Sequence, residues 1–278
     1  MSEKTIAFLG PLGTHSHRAT QEIFGQEFNA KPEKTFDQVF EVLASNQADA
    51  AVVPLENNTA GVVDVALDLL IRSEFSIIAE FNLEIQHSLL SNEKGLSEIK
   101  TLYSLSQPYF QCQNFILNYL PHAKWVQEAS SAGAIEACLR NPKNSAAIGY
   151  ADSGRKIGVP VFQESIQDLS NNETRFVVLS NGVEPKINKN QYKYNKTSIV
   201  FTLEDKPGTL LKIMSIFNQH NLNLCHIESR PTRLEEWRYY FCITVESEPN
   251  DKGLEAALKE VSSHVLFYKH LGTYPIIY

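Results

Sequence analysis

Short apolar runs rich in β-branched residues alternate with helical stretches from residue 5 to about residue 180. Residues 5–9, 50–54 and 101–105 are runs of strand length, and residues 123–127 and 145–149 repeat the pattern. The first four runs each precede a segment whose apolar residues recur three or four positions apart, which is the spacing of one helix face. Such alternation predicts a mainly parallel sheet covered by helices on both faces.

The strand and helix pattern occurs twice, and the long segment 75–91 joins the two runs. We therefore predict a first domain over residues 1–182 with two α/β lobes, about 1–80 with 160–182 and about 81–159. The segment that precedes residue 182 is expected to return to the first lobe as a strand.

Residues 183–196 interrupt this pattern, because they are rich in lysine and contain no acidic residue after Glu184. A solvated linker is the prediction, and a basic patch for an acidic partner is the alternative. Residues 197–278 then follow a strand–helix–strand–strand–helix–strand order, which predicts a small ferredoxin-like α+β domain. It is poor in clustered acid and base groups, so we expect a regulatory or docking role.

The composition excludes several classes of function. The 278 residues carry 25 Lys and Arg against 32 Asp and Glu, a formal net charge of −7, so nucleic-acid binding is not expected. No uncharged apolar run reaches the roughly 18–20 residues that span a bilayer, and the first residues do not form a signal peptide. The four cysteines show no C-x-x-C spacing, which is typical of buried thiols in a reducing compartment. These features predict a cytoplasmic protein with no membrane partner.

Polar residues and glycines gather where predicted strands give way to helices. In an open α/β sheet these positions face the crevice in which ligands bind. They are Gly10, Gly13, Thr14 and Ser16, then Glu56, Asn57, Asn58 and Gly61, then Ser104, Gln107, Gln111, Ser130 and Ser131. Taken singly, each is typical of a helix cap or a turn. Their recurrence favours a small anionic ligand, such as a carboxylate, held at helix N-termini.

Motifs for bound cofactors are missing from the sequence. No G-x-G-x-x-G follows a strand and no G-x-x-x-x-G-K-[ST] is present, which argues against a dinucleotide and a nucleoside triphosphate. His15 and His17 have no further ligand at a spacing that suits a metal, and no G-x-S-x-G elbow marks a serine hydrolase. We therefore expect no cofactor and no metal.

Motifs in both domains resemble one enzyme family. Residues 10–16 (GPLGTHS), 53–58 (VPLENN), 103–107 (YSLSQ) with Gln111 and Cys112, and Thr174-Arg175-Phe176 stand in the order found in prephenate dehydratases. Residues 205–211 (DKPGTLL) and 227–231 (IESRP) resemble the ACT domain of the same proteins. The resemblance spans about residues 5–275. It implies a two-lobed α/β catalytic domain similar to type II periplasmic binding proteins, followed by a ferredoxin-like α+β ACT domain.

The resemblance implies the decarboxylating dehydration of prephenate to phenylpyruvate in L-phenylalanine biosynthesis. It assigns catalysis to Thr174, Glu56, Asn57, Ser104 and Gln111. It assigns substrate binding to Gly13, Thr14, Ser16, Asn58, Gln107, Ser131, Ala132, Arg175 and Phe176. Thr174 would donate a hydrogen bond to the departing hydroxyl, and Glu56 is the alternative proton source. Arg175 is alternatively a brace at the hinge, and Phe176 alternatively a core residue.

The ACT resemblance implies that L-phenylalanine binds between two such domains and inhibits the enzyme. The effector residues it assigns are Gly208, Thr209, Leu210, Leu211, Asn223, Leu224, Glu228, Ser229, Arg230 and Pro231. Residues 228–231 would link the effector site to a partner chain. The pairing of ACT domains implies a homodimer or homotetramer. No chorismate mutase segment precedes the first strand, so we expect the monofunctional form.

Three positions depart from the family pattern. His15 stands where an aromatic residue is usual, Asn58 stands for serine, and residues 104–107 lack the usual His-Pro. His15 would add a titratable group near the anion site, so we expect activity to depend on pH around neutrality. Two rival functions stay open: the same chemistry on arogenate, and a non-catalytic phenylalanine sensor. The missing dinucleotide motif excludes an ACT-bearing dehydrogenase.

Overall fold

The computed structural model describes residues 4–25, 27–182, 192–232, 238–247 and 251–277, with the backbone alone for residues 192–194. The strands before residue 182 are β1 (Thr5–Leu9), β2 (Asn29–Glu33), β3 (Ala50–Asn57), β4 (Gly61–Val62), β5 (Ser76–Glu84), β6 (Ser88–Ser91), β7 (Thr101–Ser104), β8 (Lys124–Gln127), β9 (Ser145–Gly149), β10 (Val161–Gln163) and β11 (Glu173–Ser180). The helices there are α1 (His15–Phe24), α2 (Phe36–Ala44), α3 (Asp64–Arg72), α4 (Ser106–Gln111), α5 (Gln113–Tyr119), α6 (Ser131–Arg140) and α7 (Ala151–Ile157). The later elements are β12 (Tyr192–Thr202), α8 (Thr209–Gln219), β13 (Leu224–Pro231), β14 (Tyr239–Ser247), α9 (Lys252–Ser262) and β15 (Phe267–Ile277).

Three helices of the two lobes, α1, α2 and α6, begin at side-chain caps. Thr35 Oγ1 accepts the backbone N–H of Gln38 at 3.2 Å and starts α2. Thr14 and Ser130 cap α1 and α6 in the same way. Since these caps follow β1 and β8, the first turns of α1 and α6 lie at the carboxyl ends of strands, where α/β folds bind ligands.

The sheets of the two lobes are mixed, which corrects the expectation of mainly parallel sheets. In the first lobe β1 is parallel to β2 and β3, but β11 runs antiparallel to β3 and β5. In the second lobe β7 is parallel to β8 and β9, while β6 and β10 are antiparallel additions. The chain crosses between the lobes twice, after β5 and after β10, and the strands beside each crossing supply the antiparallel pairs.

The lobe boundaries differ from the predicted ones because strands lie directly beside the two crossings between the lobes. The segment 75–91, expected to be a connection, contains β5 of the first lobe and β6 of the second. The first-lobe sheet therefore continues to Glu84 rather than to residue 80. Strand β10 belongs to the second-lobe sheet, so that lobe extends beyond residue 159.

The C-terminal unit has the predicted ferredoxin-like order, with its strands arranged β13-β14-β12-β15. Strand β12 begins at Tyr192, so residues 192–196 are strand and not linker, whereas residues 183–191 lie outside the described residues. Helices α8 and α9 pack on one face of this sheet around Ile213, Phe217 and Ala257.

The other face of the C-terminal sheet packs directly on the first lobe. Val200, Cys242, Leu271 and Tyr274 belong to the same buried cluster as apolar residues of β3, β11, α2 and α3. The two sheets also join edge to edge, because the end of β15 pairs in parallel with β5. At Gly272 a Cβ atom would lie 2.2 Å from the carbonyl oxygen of Ile77, so only glycine allows this approach.

Within the described ranges, no helix is long and apolar enough to cross a membrane.

Candidate active site

The centre of the candidate site is a hydrogen-bonded pair on adjacent strands. Asn57 at the end of β3 stands directly opposite Thr174 of β11, and Asn57 Nδ2 donates to Thr174 Oγ1 at 2.9 Å. The Asn57 amide is fixed from its other end, because its Oδ1 accepts the backbone N–H groups of Thr59 at 3.1 Å and Ala60 at 3.0 Å. Both Asn57 and Thr174 are at least nine-tenths buried. The threonine hydroxyl is therefore held in one place.

This pair is connected to the second lobe. The Thr59 hydroxyl donates to Asn57 Oδ1 at 2.6 Å and accepts from Gln111 Nε2 of α4 at 2.8 Å. His87 Nε2 lies 2.8 Å from Gln111 Oε1. The hydrogen bonds therefore run across the cleft between the lobes, from Thr174 to His87.

A cavity of about 500 Å³ opens beside this connection. Amide and hydroxyl side chains from both lobes line it, among them Thr59, Gln107, Gln111 and Asn172. Phe110 and Leu169 give it an apolar wall, and their side chains are more than half exposed. Amides beside an apolar wall suit a small organic acid with a ring.

Two neutral histidines stand next to the cavity. Burial lowers the pKa of His15 to about 3, and the nearby His87 and Arg18 add to the shift. Burial also lowers the pKa of His87, although its hydrogen bond to Gln111 opposes the change. His15 Nδ1 is buried and has no hydrogen-bond partner among the described residues. The sequence predicts that His15 titrates near neutral pH. The structure argues against this, because the lowered pKa keeps the ring neutral well below pH 7.

A second cavity near His15 is lined by charged side chains of both signs. The His15 ring is 6.1 Å from the ring of His87 and 6.3 Å from that of Tyr150. Tyr150 lines a second cavity of about 190 Å³ together with Gly13, Thr14, Arg18 and Lys156. The Arg18 guanidinium lies 4.3 Å above the Tyr150 ring. Glu22 and Asp152 also line this cavity, and Arg18 lies 4.0 Å from Glu22. The start of α1 therefore carries charges of both signs.

The lobes are also tied at the loop after β1. Ser153 of α7 donates from Oγ to the carbonyl oxygen of Gly13 at 2.7 Å. Gly13 has a φ of 86°, a left-handed conformation that glycine adopts without strain. The turn that starts α1 is thereby held against the second lobe.

Comparisons with known proteins agree with this architecture. The profile of the prephenate dehydratase family matches residues 6–184, and that of the ACT domain matches residues 197–263. The chain is 34% identical over 278 residues to a prephenate dehydratase from Methanocaldococcus jannaschii, with 98% of each protein covered. The chain belongs to the prephenate dehydratase family. It is also 33% identical to a bifunctional chorismate mutase/prephenate dehydratase from Aquifex aeolicus, over 97% of this chain and 73% of that one.

A solved structure gives the same result for the fold. The prephenate dehydratase from Arthrobacter aurescens in complex with L-Phe superposes with a TM-score of 0.86 at 30% identity, covering 97% of this chain and 89% of that one.

Two residues that the prephenate dehydratase motifs assigned to the site face away from it. Glu56 and Arg175 lie on the opposite side of their strands and form an ion pair at 3.2 Å. Arg175 also lies 3.9 Å from the fully buried Glu80, which binds Lys196 of β12 at 2.6 Å. His226 of β13 approaches Glu56 at 3.6 Å, and burial and Arg175 lower its pKa. Glu56 is therefore not placed to give a proton to a substrate in the cleft.

Other predicted residues have structural contacts in this member of the family. Ser104 is fully buried and donates to the carbonyl oxygen of Leu105 at 2.8 Å. Asn58 accepts the Glu173 backbone N–H at 2.9 Å and joins β3 to β11. Phe176 is 1% exposed within the first-lobe core. None of the three lines either cavity. Catalysis by Ser104 and substrate binding by Asn58 stay predictions, and Phe176 has the alternative role of a core residue.

The remaining predicted residues lie in the first turns of the two capped helices. Ser16 is buried in α1, and Ala132 is buried in α6 beside the half-buried Ser131. None of the three lines either cavity, so substrate binding by these positions stays a prediction. The sequence pattern did not single out Thr59, His87 or Asn172.

The predicted effector residues of the ACT domain divide into two groups. Gly208 has a φ of 86° at the start of α8, and the Thr209 hydroxyl donates to the carbonyl oxygens of Glu204 and Lys206. Leu210 and Leu224 are half-buried, while Leu211, Asn223, Ser229 and Pro231 are exposed and Glu228 is half-buried. Arg230 instead points into the first lobe, where it binds Asp64 at 2.5 Å. Among the described residues, Arg230 thus makes a contact within one chain, and its role toward a partner chain stays a prediction.

Proposed function

We propose that this protein catalyses the conversion of prephenate to phenylpyruvate. The bond from the ring to its carboxylate breaks, and its electron pair enters the ring and expels the hydroxyl group. The hydroxyl takes up one proton and leaves as water, and the carboxylate leaves as CO2. Aromatisation drives the reaction forward, so the protein has to bind the dianion and stabilise the leaving hydroxyl.

The hydrogen bond between Asn57 and Thr174 carries this proposal. Thr174 Oγ1 accepts from Asn57 Nδ2 and makes no other hydrogen bond among the described residues. Its own O–H is therefore available to donate to a departing hydroxyl. A free threonine is a very weak acid, but a hydrogen-bond donor held in a buried site needs no reorganisation when charge develops on the leaving oxygen.

Cationic groups at the start of α1 support binding of a substrate carboxylate, although the carboxylates of Glu22 and Asp152 line the same cavity. Arg18 and Lys156 lie beside the first turn of α1, where the helix dipole also favours negative charge. Gln107 and Gln111 offer amide donors in the larger cavity. We infer that the two substrate carboxylates are divided between these regions.

Substitution of Thr174 tests the catalytic assignment. Thr174→Val keeps the shape of the side chain and removes the hydroxyl, and we expect kcat for phenylpyruvate formation to fall by about 10²-fold or more. Thr174→Ser keeps the hydroxyl and is the matched control, with most of the activity retained. Equal turnover by the valine variant and the wild type would remove Thr174 from the mechanism.

The same assay tests substrate and regulation. We propose prephenate as the substrate, L-phenylalanine as an inhibitor bound at the ACT domain, and a homodimer or homotetramer in which ACT domains pair. Each of these rests on family membership and on the ACT domain. Turnover of prephenate and arogenate should be measured in parallel, each with and without L-phenylalanine. Preferred turnover of arogenate would change the substrate, and no turnover of either would favour a phenylalanine sensor.

A further inference from the structure

The ACT domain holds helix α3 of the first lobe at its N-terminal half. Arg230 of β13 binds Asp64 through Nη1 at 2.5 Å. It binds the Asp68 carboxylate through Nε at 3.3 Å and Nη2 at 3.4 Å. The Arg230 side chain is only 11% exposed. All three of its nitrogen atoms are thus engaged by carboxylates of a single helix.

The ACT domain also holds the other end of α3. Lys269 of β15 donates from Nζ to the carbonyl oxygens of Leu70 at 2.7 Å and Ile71 at 3.2 Å, and also to that of Ser73. The last carbonyl groups of a helix lack partners within the helix and carry partial negative charge. Two cations from the ACT domain therefore fix both ends of α3.

Helix α3 is directly connected to the cleft. It begins two residues after β4, which pairs with the end of β3 at Asn57. The backbone N–H of Val63 donates to the carbonyl oxygen of Leu55 at 2.8 Å, so the start of α3 cannot shift without β3. Between Asn57 and β4 lies Thr59, whose hydroxyl reaches Gln111 across the cleft. A displacement of α3 would therefore change the contacts of the candidate catalytic residues.

We propose that Arg230 couples the ACT domain to the cleft through α3 and does not bind the effector. Displacement of β13 when the effector binds pulls on Asp64 and Asp68. The N-terminal half of α3 then shifts while Lys269 holds its other end, and the turn that carries Thr59 follows. This inference rests on the proposed inhibition by L-phenylalanine.

The test separates coupling from effector binding. Allosteric coupling is the factor by which one ligand changes the affinity for another, commonly about 5–150-fold. It is measured as the ratio of the apparent KM for prephenate with and without saturating L-phenylalanine. The dissociation constant of L-phenylalanine is measured separately by calorimetry on the full-length protein.

Two variants break the contact from opposite sides. Arg230→Ala removes the cation, and the double variant Asp64→Asn/Asp68→Asn removes the negative charges of its partners without altering the ACT domain. For both, we expect the coupling factor to fall toward one, while the affinity for L-phenylalanine stays within about threefold of the wild type. Arg230→Lys keeps the charge without the planar fork and should restore part of the coupling. Lys259→Ala, an exposed position on α9, is the matched control and should inhibit normally.

The outcomes are distinct. If Arg230→Ala binds L-phenylalanine at least about tenfold more weakly while Asp64→Asn/Asp68→Asn is inhibited like the wild type, Arg230 is an effector contact and the proposal is overturned. If the wild type itself turns over prephenate without inhibition, the proposed regulation fails before any variant is compared. Loss of coupling in both variants with retained effector binding supports the proposal.

Discussion

Thr174 and Arg175 are consecutive residues whose side chains serve opposite sides of one sheet. Thr174 meets Asn57 at the cleft, whereas Arg175 meets Glu56 on the side that the ACT domain covers. Side chains of a strand point to alternate faces, so a single step along β11 separates the candidate catalytic group from the contacts between domains. A shift of β11 that changes the Arg175 ion pair therefore also moves Thr174.

At the residue scale, His15→Phe is expected to reduce the dependence of stability on pH. The folded pKa of about 3 lies below the ordinary value of 6.5, so the folded protein favours the neutral ring. The resulting stability is complete above about pH 6.5 and is lost as the pH falls toward 3, because the unfolded chain then binds the extra proton. Between pH 7 and pH 5 the wild type should lose about 1–2 kcal/mol of unfolding free energy that the variant keeps. Denaturant unfolding at the two pH values measures this difference.

His122→Phe, at an exposed position, is the matched control for removal of an imidazole. Identical losses of unfolding free energy in the wild type and His15→Phe would contradict the burial of His15. The shape of the pH–rate profile between pH 6 and pH 8 should be the same in the wild type and in His15→Phe, since His15 does not titrate in that range.

Part of the site follows from the sequence and part does not. Asn57, Gln111 and Thr174 lie in motifs that resemble prephenate dehydratases, and the structure brings them into one network. The motif predicts Glu56 in the site because it gives only the order of residues, whereas the alternation of β3 turns the neighbouring side chains of Glu56 and Asn57 to opposite faces. The sequence pattern does not indicate His87, because this residue lies between β5 and β6, where the chain crosses between the lobes and shows no periodic pattern.

At the scale of single elements, the turn between β3 and β4 is expected to hold the lobes in their observed arrangement. Thr59→Val and Gln111→Met each remove the hydrogen bond between Thr59 and Gln111, so their effects on kcat/KM should not add. The coupling in a double-mutant cycle should be about 0.5–1.5 kcal/mol, the usual net value of one hydrogen bond. Thr59→Ser keeps the hydroxyl and should behave much like the wild type. Additive losses would show that the contact does not form during turnover.

The elements themselves were predictable where local chemistry decides them. The capping pattern at Thr35 predicts the start of α2, and the structure has that cap. The sequence pattern does not predict the strands of segment 75–91, because residues 77–81 of β5 are buried or half-buried on both faces and lack the alternation of a half-buried strand. Strand β2 was missed as well, since its polar residues and Pro32 do not favour a strand, and it forms by pairing along β1.

At the scale of the whole molecule, the shared core should make both domains unfold together. Tyr274 is 1% exposed and bonds Ser198 at 2.6 Å within the cluster that joins the ACT sheet to the first lobe. Tyr274→Ala should lower the unfolding free energy by about 3–5 kcal/mol and shift one single calorimetric transition. Tyr274→Phe, which loses only the hydroxyl, is the milder control. A separate transition for the ACT domain would contradict a common core.

The same cluster affects how such a protein can evolve. Two family profiles match the chain, as if two interchangeable modules had been joined. Yet Val200 and Leu271 of the ACT sheet complete a surface formed by Val53 and Val177 of the first lobe. An ACT domain taken from a distant relative would not pack well on this first lobe, whose surface fits its own ACT sheet. Substitutions in the two domains are therefore expected to be correlated during evolution.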